Sequence, residues 1–290
     1  SCQVHAQEKQ ATKKIEIRKA IRGIYDKSLG GNGQRLIGNV IVDHDGSTLW
    51  CDSAYLYGDK NSMDAFGHVH IRMNDTLHLY GDKLYYDGNT RIAEVHQNVR
   101  LLDKKLTLYT DELIYKRNEK VGEYFVWGKL VDSTNVLTSK KGFYYTETKE
   151  AFFNDSVVLV NKEHVLKTDT LIYHTQLKTV DFKGPTTIVG DSSYMYAVSG
   201  FHNTATDYTR LKKNTYLPDK ANILEGDLLY YDKAKGVAEV FKNVQMTDTV
   251  QNIVVRGGYA NYRKKEQFAY VVDRALAILI EEGDSLFIHA

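Results

Sequence analysis

The sequence predicts an all-β fold of stacked repeats, a β-roll solenoid, and three observations predict it. An aromatic residue returns at nearly fixed distance, as Tyr57, Tyr86, Tyr115, Tyr145 and Tyr173. His202 takes the next place in the series, inside Gly200-Phe201-His202-Asn203, and Tyr231 and Tyr262 follow it. A period of about 29 residues marks supersecondary units that stack on one another. Runs such as Lys14-Ile15-Glu16-Ile17-Arg18 alternate apolar with polar residues, the period-two pattern of strands with one buried face. Finally, 21 tyrosines and two prolines in 290 residues suit long strands rather than helices or disorder.

Residues 1–14 read as a flexible, lysine-rich lead-in. Within it, Val4-His5-Ala6 before Gln7 has the small-residue shape of a signal-peptidase site, and Ser1-Cys2 also fits the end of a lipoprotein box. An arbitrary starting point is the plain alternative. Residues 15–290 read as a single roll of about nine repeats, with no linker to divide them. Alternation begins at Lys14, pauses at the loop Gly30-Gly31-Asn32-Gly33, and resumes at Arg35.

The unit from Thr76 to Asp103 shows the plan: strand Leu77–Tyr80, corner Gly81-Asp82, strand Leu84–Tyr86, turn Asp87-Gly88-Asn89, strand Ile92–Val95, corner Gln97-Asn98, strand Val99–Leu101. Each repeat is therefore expected to supply two to four short strands. Turn formers recur at the second corner as Gly38-Asn39, Gly67-His68, Gly128-Lys129, Asp155-Ser156, Gly184-Pro185 and Lys242-Asn243. Asp82, Asp111, Asp169 and Asp227 hold the first corner. Small or apolar residues recur seven places after the aromatic: Ala93, Gly122, Val180, Ala238 and Ala269. The sixth repeat is the least regular, with polar Thr204–Lys213 and Pro218. The closing Gly283–Ala290 resembles the opening of another unit, so further repeats are expected beyond it.

Alternation also sorts side chains. Leu84, Tyr86, Leu113, Tyr115, Phe143, Tyr145, Leu171 and Tyr173 are expected to point inward, and Tyr85, Ile114, Tyr144 and Ile172 to face the other side of their strands. The aromatic series can be a plain core ladder of cross-strand pairs, or one wall of an apolar trough with hydroxyls at a wet rim.

Composition excludes several classes. Lysine plus arginine (38) nearly cancels aspartate plus glutamate (37), so nucleic acid is not expected as a partner. No apolar run approaches the ~20 residues of a helical membrane span; the longest candidate is Ala275–Ile280, and a soluble chain is expected. Two cysteines, Cys2 and Cys51, do not make a disulfide scaffold. There is no Gly-rich phosphate loop, nucleophile elbow, His-Glu-x-x-His or Cys-x-x-Cys, so neither an enzyme nor a cofactor is expected. One aspartate per repeat at a fixed corner is what turn capping requires, rather than calcium or paired-carboxylate chemistry. His68 and His70, with His78 nearby, are read as solvated or bonded to neighbours, and no metal ligands are assigned.

The ordered combination Gln34–Val40, Leu49–Tyr55 and Ala65–Ile71 closely resembles the OstA-like (LptA) family of periplasmic lipopolysaccharide-transport proteins, also called the organic-solvent-tolerance family. Gly81-Asp82-x-Leu84-Tyr85-Tyr86-Asp87 and Gly226-Asp227-x-Leu229-Tyr230-Tyr231-Asp232 fit it too, and the likeness covers roughly residues 15–290. The resemblance implies an antiparallel β-jellyroll, open along one side, that carries the acyl chains of lipopolysaccharide across the periplasm towards the outer membrane. The eight inward residues above would line that path. The resemblance further implies edge-strand pairing with other lipopolysaccharide-transport proteins and head-to-tail homo-oligomers. Two other readings are a structural or adhesive solenoid with a filled core, and a carbohydrate-active solenoid enzyme, for which no carboxylate cluster is evident.

Overall fold

The protein is described by a computed structural model covering residues 13–191, 193–281 and 284–289. The expected cleavage site and Cys2 lie outside the described residues. The chain falls into two compact units divided between Val126 and Trp127.

The first unit holds β1 (Glu16–Lys19), β2 (Arg22–Tyr25), a 3-10 turn at Lys27–Leu29, β3 (Gly33–His44), β4 (Ser47–Tyr57), β5 (Ser62–Arg72), β6 (Leu77–Asp87), β7 (Ile92–Asp103), β8 (Leu106–Lys116) and β9 (Val121–Tyr124). From β3 to β9 each strand pairs antiparallel with the next. The second unit holds β10 (Gly128–Val131), β11 (Val136–Ser139), β12 (Lys141–Tyr145), β13 (Glu150–Val160), β14 (His164–His174), β15 (Thr179–Gly190), β16 (Ser193–Asn203), β17 (Tyr208–Asp219), β18 (Asn222–Asp232), β19 (Val237–Asp248), β20 (Ile253–Arg263), β21 (Phe268–Val272), β22 (Leu276–Glu281) and β23 (Asp284–His289). Its strands β13 to β20 again pair antiparallel in order.

The fold is thus all-β, as expected, but the strands are longer than the sequence suggests. The predicted corners do not end them; they bend them. At most second corners the backbone takes two successive left-handed residues, for example Gln97 (φ 65°) with Asn98 (φ 52°) and Lys242 (φ 62°) with Asn243 (φ 51°), whereas at Gly184-Pro185 only the glycine (φ 97°) is left-handed. Pairing slips at the same points, between His96 and Val99 and between Phe241 and Val244. These are β-bulges, which bend a strand without ending it. Lys213-Asn214 (φ 63° and 51°) adds one in the sixth repeat that the composition hid. Gly128-Lys129 is different: it has ordinary φ and opens β10.

Each long strand therefore has two arms, and the apolar core lies between the two layers the arms make. In β6, Leu77, Leu79 and Gly81 are buried before the bend, and Leu84 and Tyr86 after it. The layers approach closely: a Cβ on Gly122 would stand 3.2 Å from Leu101 in the other layer. Three bent strands are interrupted at the bend, so that β1 with β2, β11 with β12, and β21 with β22 flank β3, β13 and β20 as pairs of short strands.

The corner aspartates stitch neighbouring bends together. Asp82 accepts from Asn98 Nδ2 at 2.5 Å, Asp227 accepts from Asn243 Nδ2 at 2.7 Å, and Asp52 meets His68 Nδ1 at 2.8 Å. Glycine at the first corner has a steric reason. A Cβ on Gly81 would lie 2.3 Å from Val95 Cγ1, and Val95 is fully buried. Gly81→Ala is expected to cost about 1–3 kcal/mol through overpacking. Gly23→Ala, whose Cβ would meet nothing nearer than 3.8 Å, should stay within ~0.5 kcal/mol of the parent. Urea-unfolding midpoints of the two variants check this; equal midpoints would mean that the bend tolerates a side chain.

Candidate functional site

The interior is built on one hairpin rule. Leu56, Tyr86, Tyr115, Tyr144, Tyr173, His202, Tyr231 and Tyr262 each stand one residue before the closing pair of a four-residue hairpin loop. Five places on, the last loop residue is left-handed every time: Asn61, Arg91, Lys120, Lys149, Lys178, Asp207, Gly236 and Gln267, with φ between 49° and 71°. Seven places on stands the direct cross-strand partner: Met63, Ala93, Gly122, Ala151, Val180, Thr209, Ala238 and Ala269. Large and small side chains therefore alternate along most of the inner face of this layer.

Six of the eight expected inward residues obey the rule. Leu84, Tyr86, Leu113 and Tyr115 are buried in the first unit, and Leu171 and Tyr173 in the second, none more than 9% exposed. Tyr85, Ile114 and Ile172 face outward. Phe143, Tyr145 and Tyr144 are reversed. Tyr144 is 2% exposed and pairs with Ala151, whereas Tyr145 is 36% exposed and Phe143 half-buried on the outer face. The hairpin sets the face, because Tyr145–Glu150 is the closing pair, so Tyr144 takes the inward position. The signal was in the sequence: Tyr144, not Tyr145, stands midway between Tyr115 and Tyr173. Tyr57 is also outward, bonded to Asp64 at 2.7 Å, and Leu56 holds its inner place.

At the hairpin tips the two layers meet through polar side chains, forming the mouth of each roll. In the first unit Tyr86 hydroxyl and His44 Nδ1 hydrogen-bond at 2.7 Å, and Arg91 pairs with Asp45 at 2.9 Å. In the second, Tyr173 donates to Asp132, which also receives Lys178 Nζ at 2.7 Å, while Asn135 donates to the Tyr173 oxygen at 2.8 Å. Tyr262 donates to Asp219 at 2.5 Å, and Lys264 reaches the other oxygen at 2.8 Å. Burial pushes Tyr86 up to about 12. Burial, then the bond to Asp132, pushes Tyr173 well above the ordinary phenol. Burial alone would raise Asp132, but bonds from Lys178 and Tyr173 outweigh it and hold the carboxyl below its ordinary value. Just inside the first unit's mouth, Val42, Leu49, Ile71, Leu79 and Tyr86 border a cavity of about 30 Å³, room for roughly one water.

Other singled-out residues have structural employment. His70 Nε2 lies 3.0 Å from His78 Nδ1, and His70 stacks between Trp50 (4.8 Å) and Tyr80 (4.4 Å) on the outer face. Burial pushes His70 down to about 4, and His68 is turned away onto the Asp52 corner. Cys51 is a buried core thiol pushed up to about 12 by burial. Sequence reasoning missed the mouth, because its partners lie more than a full repeat apart along the chain and no local pattern joins them.

A two-layered β-roll with an apolar interior and a mouth closed by side chains is the class of repeat protein that this fold defines. The particular family follows from comparison: residues 12–169, more than half of the chain, match the OstA-like protein family model, and the chain belongs to that family. The family is one of periplasmic, transport-related proteins rather than of enzymes. No curated protein matches the chain.

Two tests follow. Tyr144→Ala should cost about 3–5 kcal/mol, as for other buried aromatics, and Tyr145→Ala under about 1 kcal/mol; equal costs in chemical denaturation would reverse the assigned faces. The mouth should show two pH limits. Asp132 has a depressed folded pKa, so its stabilisation is present above its ordinary 3.8 and lost as pH falls through the lower folded value. Tyr173 has a raised folded pKa, so its share is present below its ordinary 10.0 and lost as pH climbs through the higher folded value. Asp132→Asn should flatten the acid limb of a melting-temperature profile and Tyr173→Phe the alkaline limb; limbs unchanged by both would show that these groups do not set them.

Proposed function

We propose that the protein is a periplasmic lipid carrier that receives the acyl chains of lipopolysaccharide between the two layers of its roll and passes them towards the outer membrane. The observation that carries this reading is the kind of closure at the mouth. The layers are joined there by side-chain contacts such as Tyr86–His44 and Tyr173–Asp132, not by ladder hydrogen bonds. They can part at the tips while every strand keeps its neighbours. A neutral bond such as Tyr86–His44 contributes about 0.5–1.5 kcal/mol net, one to a charged carboxylate such as Asp132 about 1.5–3 kcal/mol, and each methylene taken out of water returns ~0.8 kcal/mol. A few methylenes of an acyl chain therefore match one mouth contact. Leu84, Tyr86, Leu113, Tyr115, Tyr144, Leu171 and Tyr173 would line the path. Because leucine and tyrosine recur along it, transfer from one such rung to the next would be nearly level in energy, and the drive must come from elsewhere.

Partners would add at the edges. In the second unit β21 and β23 carry Phe268, Val272, Leu286, Phe287 and Ile288 in exposed positions, and exposed edge strands favour strand addition by partner rolls or by further copies of this chain. The close packing of the interior supports a second reading, a filled structural roll that binds nothing.

Photo-crosslinking separates the two. A photoreactive amino acid at Leu113 or Leu171 should capture lipopolysaccharide in cells, and one at Tyr85 or Tyr145 on the outer face should not. If interior positions stay blank in folded, periplasmic protein, the carrier reading fails and the filled roll stands.

A further inference from the structure

One repeat of the second unit breaks the mouth chemistry in both of its positions at once. At the Tyr173 hairpin the inward ring and the left-handed loop residue, Lys178, are both donors, and they face the acceptor Asp132. One repeat later the same two places hold His202 and Asp207, and the residue facing them is a third lone-pair donor, His164. An assembly of donors facing an acceptor has become three potential ligands facing one another.

Their geometry leaves lone pairs unused. His164 and His202 are 3% and 1% exposed, with ring centroids 5.5 Å apart at 81°. Neither nitrogen of His164 makes a hydrogen bond, nor does His202 Nε2, nor Asp207 Oδ1. His164 Nδ1 lies 3.3 Å from Asp207 Oδ1 but is misaligned for a bond. Four buried polar atoms without partners is a costly cluster, at about 1–3 kcal/mol for each unsatisfied group. Meanwhile His202 and Asp207 are held from behind. His202 Nδ1 is bonded to Thr209 Oγ1 at 2.9 Å, which with Nδ1–H as donor leaves Nε2 as the free lone pair. Asp207 Oδ2 is held by Lys233 Nζ at 3.4 Å, which leaves Oδ1 free, and Glu163 shares that lysine at 3.2 Å. Asp207, Glu163 and Lys233 together carry one net negative charge beside two imidazoles.

We propose that His164, His202 and Asp207 form a binding site for one divalent transition-metal ion of the zinc class. Two imidazoles and a carboxylate are a borderline-hard ligand set that suits zinc and disfavours magnesium and calcium, which prefer all-oxygen cages. A donor atom from each residue lies within 4.8 Å of the others. Tetrahedral zinc with bonds of about 2.0–2.1 Å spaces its ligands by about 3.3 Å, so the side chains need close in only by small rotations. The fourth position is left for water or an incoming ligand. His164 opens β14 in one layer, while His202 and Asp207 belong to a hairpin of the other. The ion would therefore clip the two layers together at this tip, where other repeats use hydrogen bonds.

The test uses the whole chain, stripped with a chelator and then titrated with zinc by calorimetry and with cobalt(II) by visible absorption. The expected result is a tetrahedral cobalt spectrum at about one ion per chain, displaced by zinc, and a melting temperature that rises with zinc. His202→Tyr restores the residue of the neighbouring repeats and Asp207→Lys the loop cation of the preceding one, so both should fold and both should lose the spectrum and the zinc-dependent rise. Thr209→Val should keep the stoichiometry but weaken binding roughly 10–100-fold, the usual effect of removing a supporting bond. A parent chain with no cobalt spectrum and a zinc-independent melting temperature overturns the proposal. So does binding that survives unchanged in His202→Tyr and Asp207→Lys, which would place the ion elsewhere.

Discussion

Neighbouring strands stand about 4.8 Å apart, and a phenol ring lying across an inner face needs more than one strand's width. That constraint shapes both rolls. Tyr86 is followed across the sheet by Ala93, Tyr115 by Gly122, Tyr144 by Ala151, and Tyr173 by Val180. Each ring has a small residue directly across the ladder, and within each unit the next ring comes two strands away, from Tyr86 through Ala93 to Tyr115 and from Tyr144 through Ala151 to Tyr173. The alternation fixes the spacing of the repeats, and the spacing fixes the loops. A hairpin that must return a small residue opposite a ring has a set length, and the left-handed residue at its end is the consequence. Asparagine, aspartate and glycine hold that place in three hairpins, but so do Lys120, Lys149 and Lys178 in three others. The loop is thus imposed on residues that do not favour it, which is evidence that the packing dictates the turn rather than the reverse.

Much of the fold was legible for the same reason. A constant repeat length, alternation within it and turn formers at two phases are local, and they specify stacked antiparallel strands with corners in phase, though not that the corners bend the strands instead of ending them. The errors are instructive. Following tyrosines selected Tyr145 over Tyr144, because residue type carries no parity; following the loop cation Lys149 and the partner Ala151 would have selected correctly. Lys213-Asn214 bends its strand with the same dipeptide as Lys242-Asn243, yet it stands at the end of a polar, irregular stretch, and that hid its phase. The mouth was illegible altogether. Tyr173 meets Asp132 and Tyr262 meets Asp219 across more than one repeat, and such contacts exist only once the layers face each other.

Membership of the OstA-like family gives these features a common sense. On the carrier reading proposed above the core must be entered, and it could not be closed with backbone ladders, since parting them would unfold the sheet. Side-chain contacts at the tips close it with bonds of modest strength, each individually replaceable. Their chemistry differs from tip to tip in this chain: histidine with tyrosine at His44–Tyr86, carboxylate with phenol and ammonium at Asp132 and Asp219.

The His164–His202–Asp207 tip then stands out by its polarity rather than its position. Had His202 simply lost a hydroxyl, the cheapest repair would keep the facing acid and the loop cation. Instead Asn161 stands in the place of Asp132, His164 in that of Asn135, and the loop residue is an acid, so that neither the Tyr173 hydroxyl nor the Lys178 ammonium has a counterpart donor here. Lys233, which could have supplied one, is engaged from the far side by Asp207 Oδ2 and Glu163. A cluster of neutral rings alone would have favoured apolar replacements, as at Met63 and Leu56 in the first unit. Three lone-pair donors in a buried place suit the holding of a cation, and there the strength of closure would depend on metal supply and, because the imidazoles must be deprotonated to bind, on pH as well.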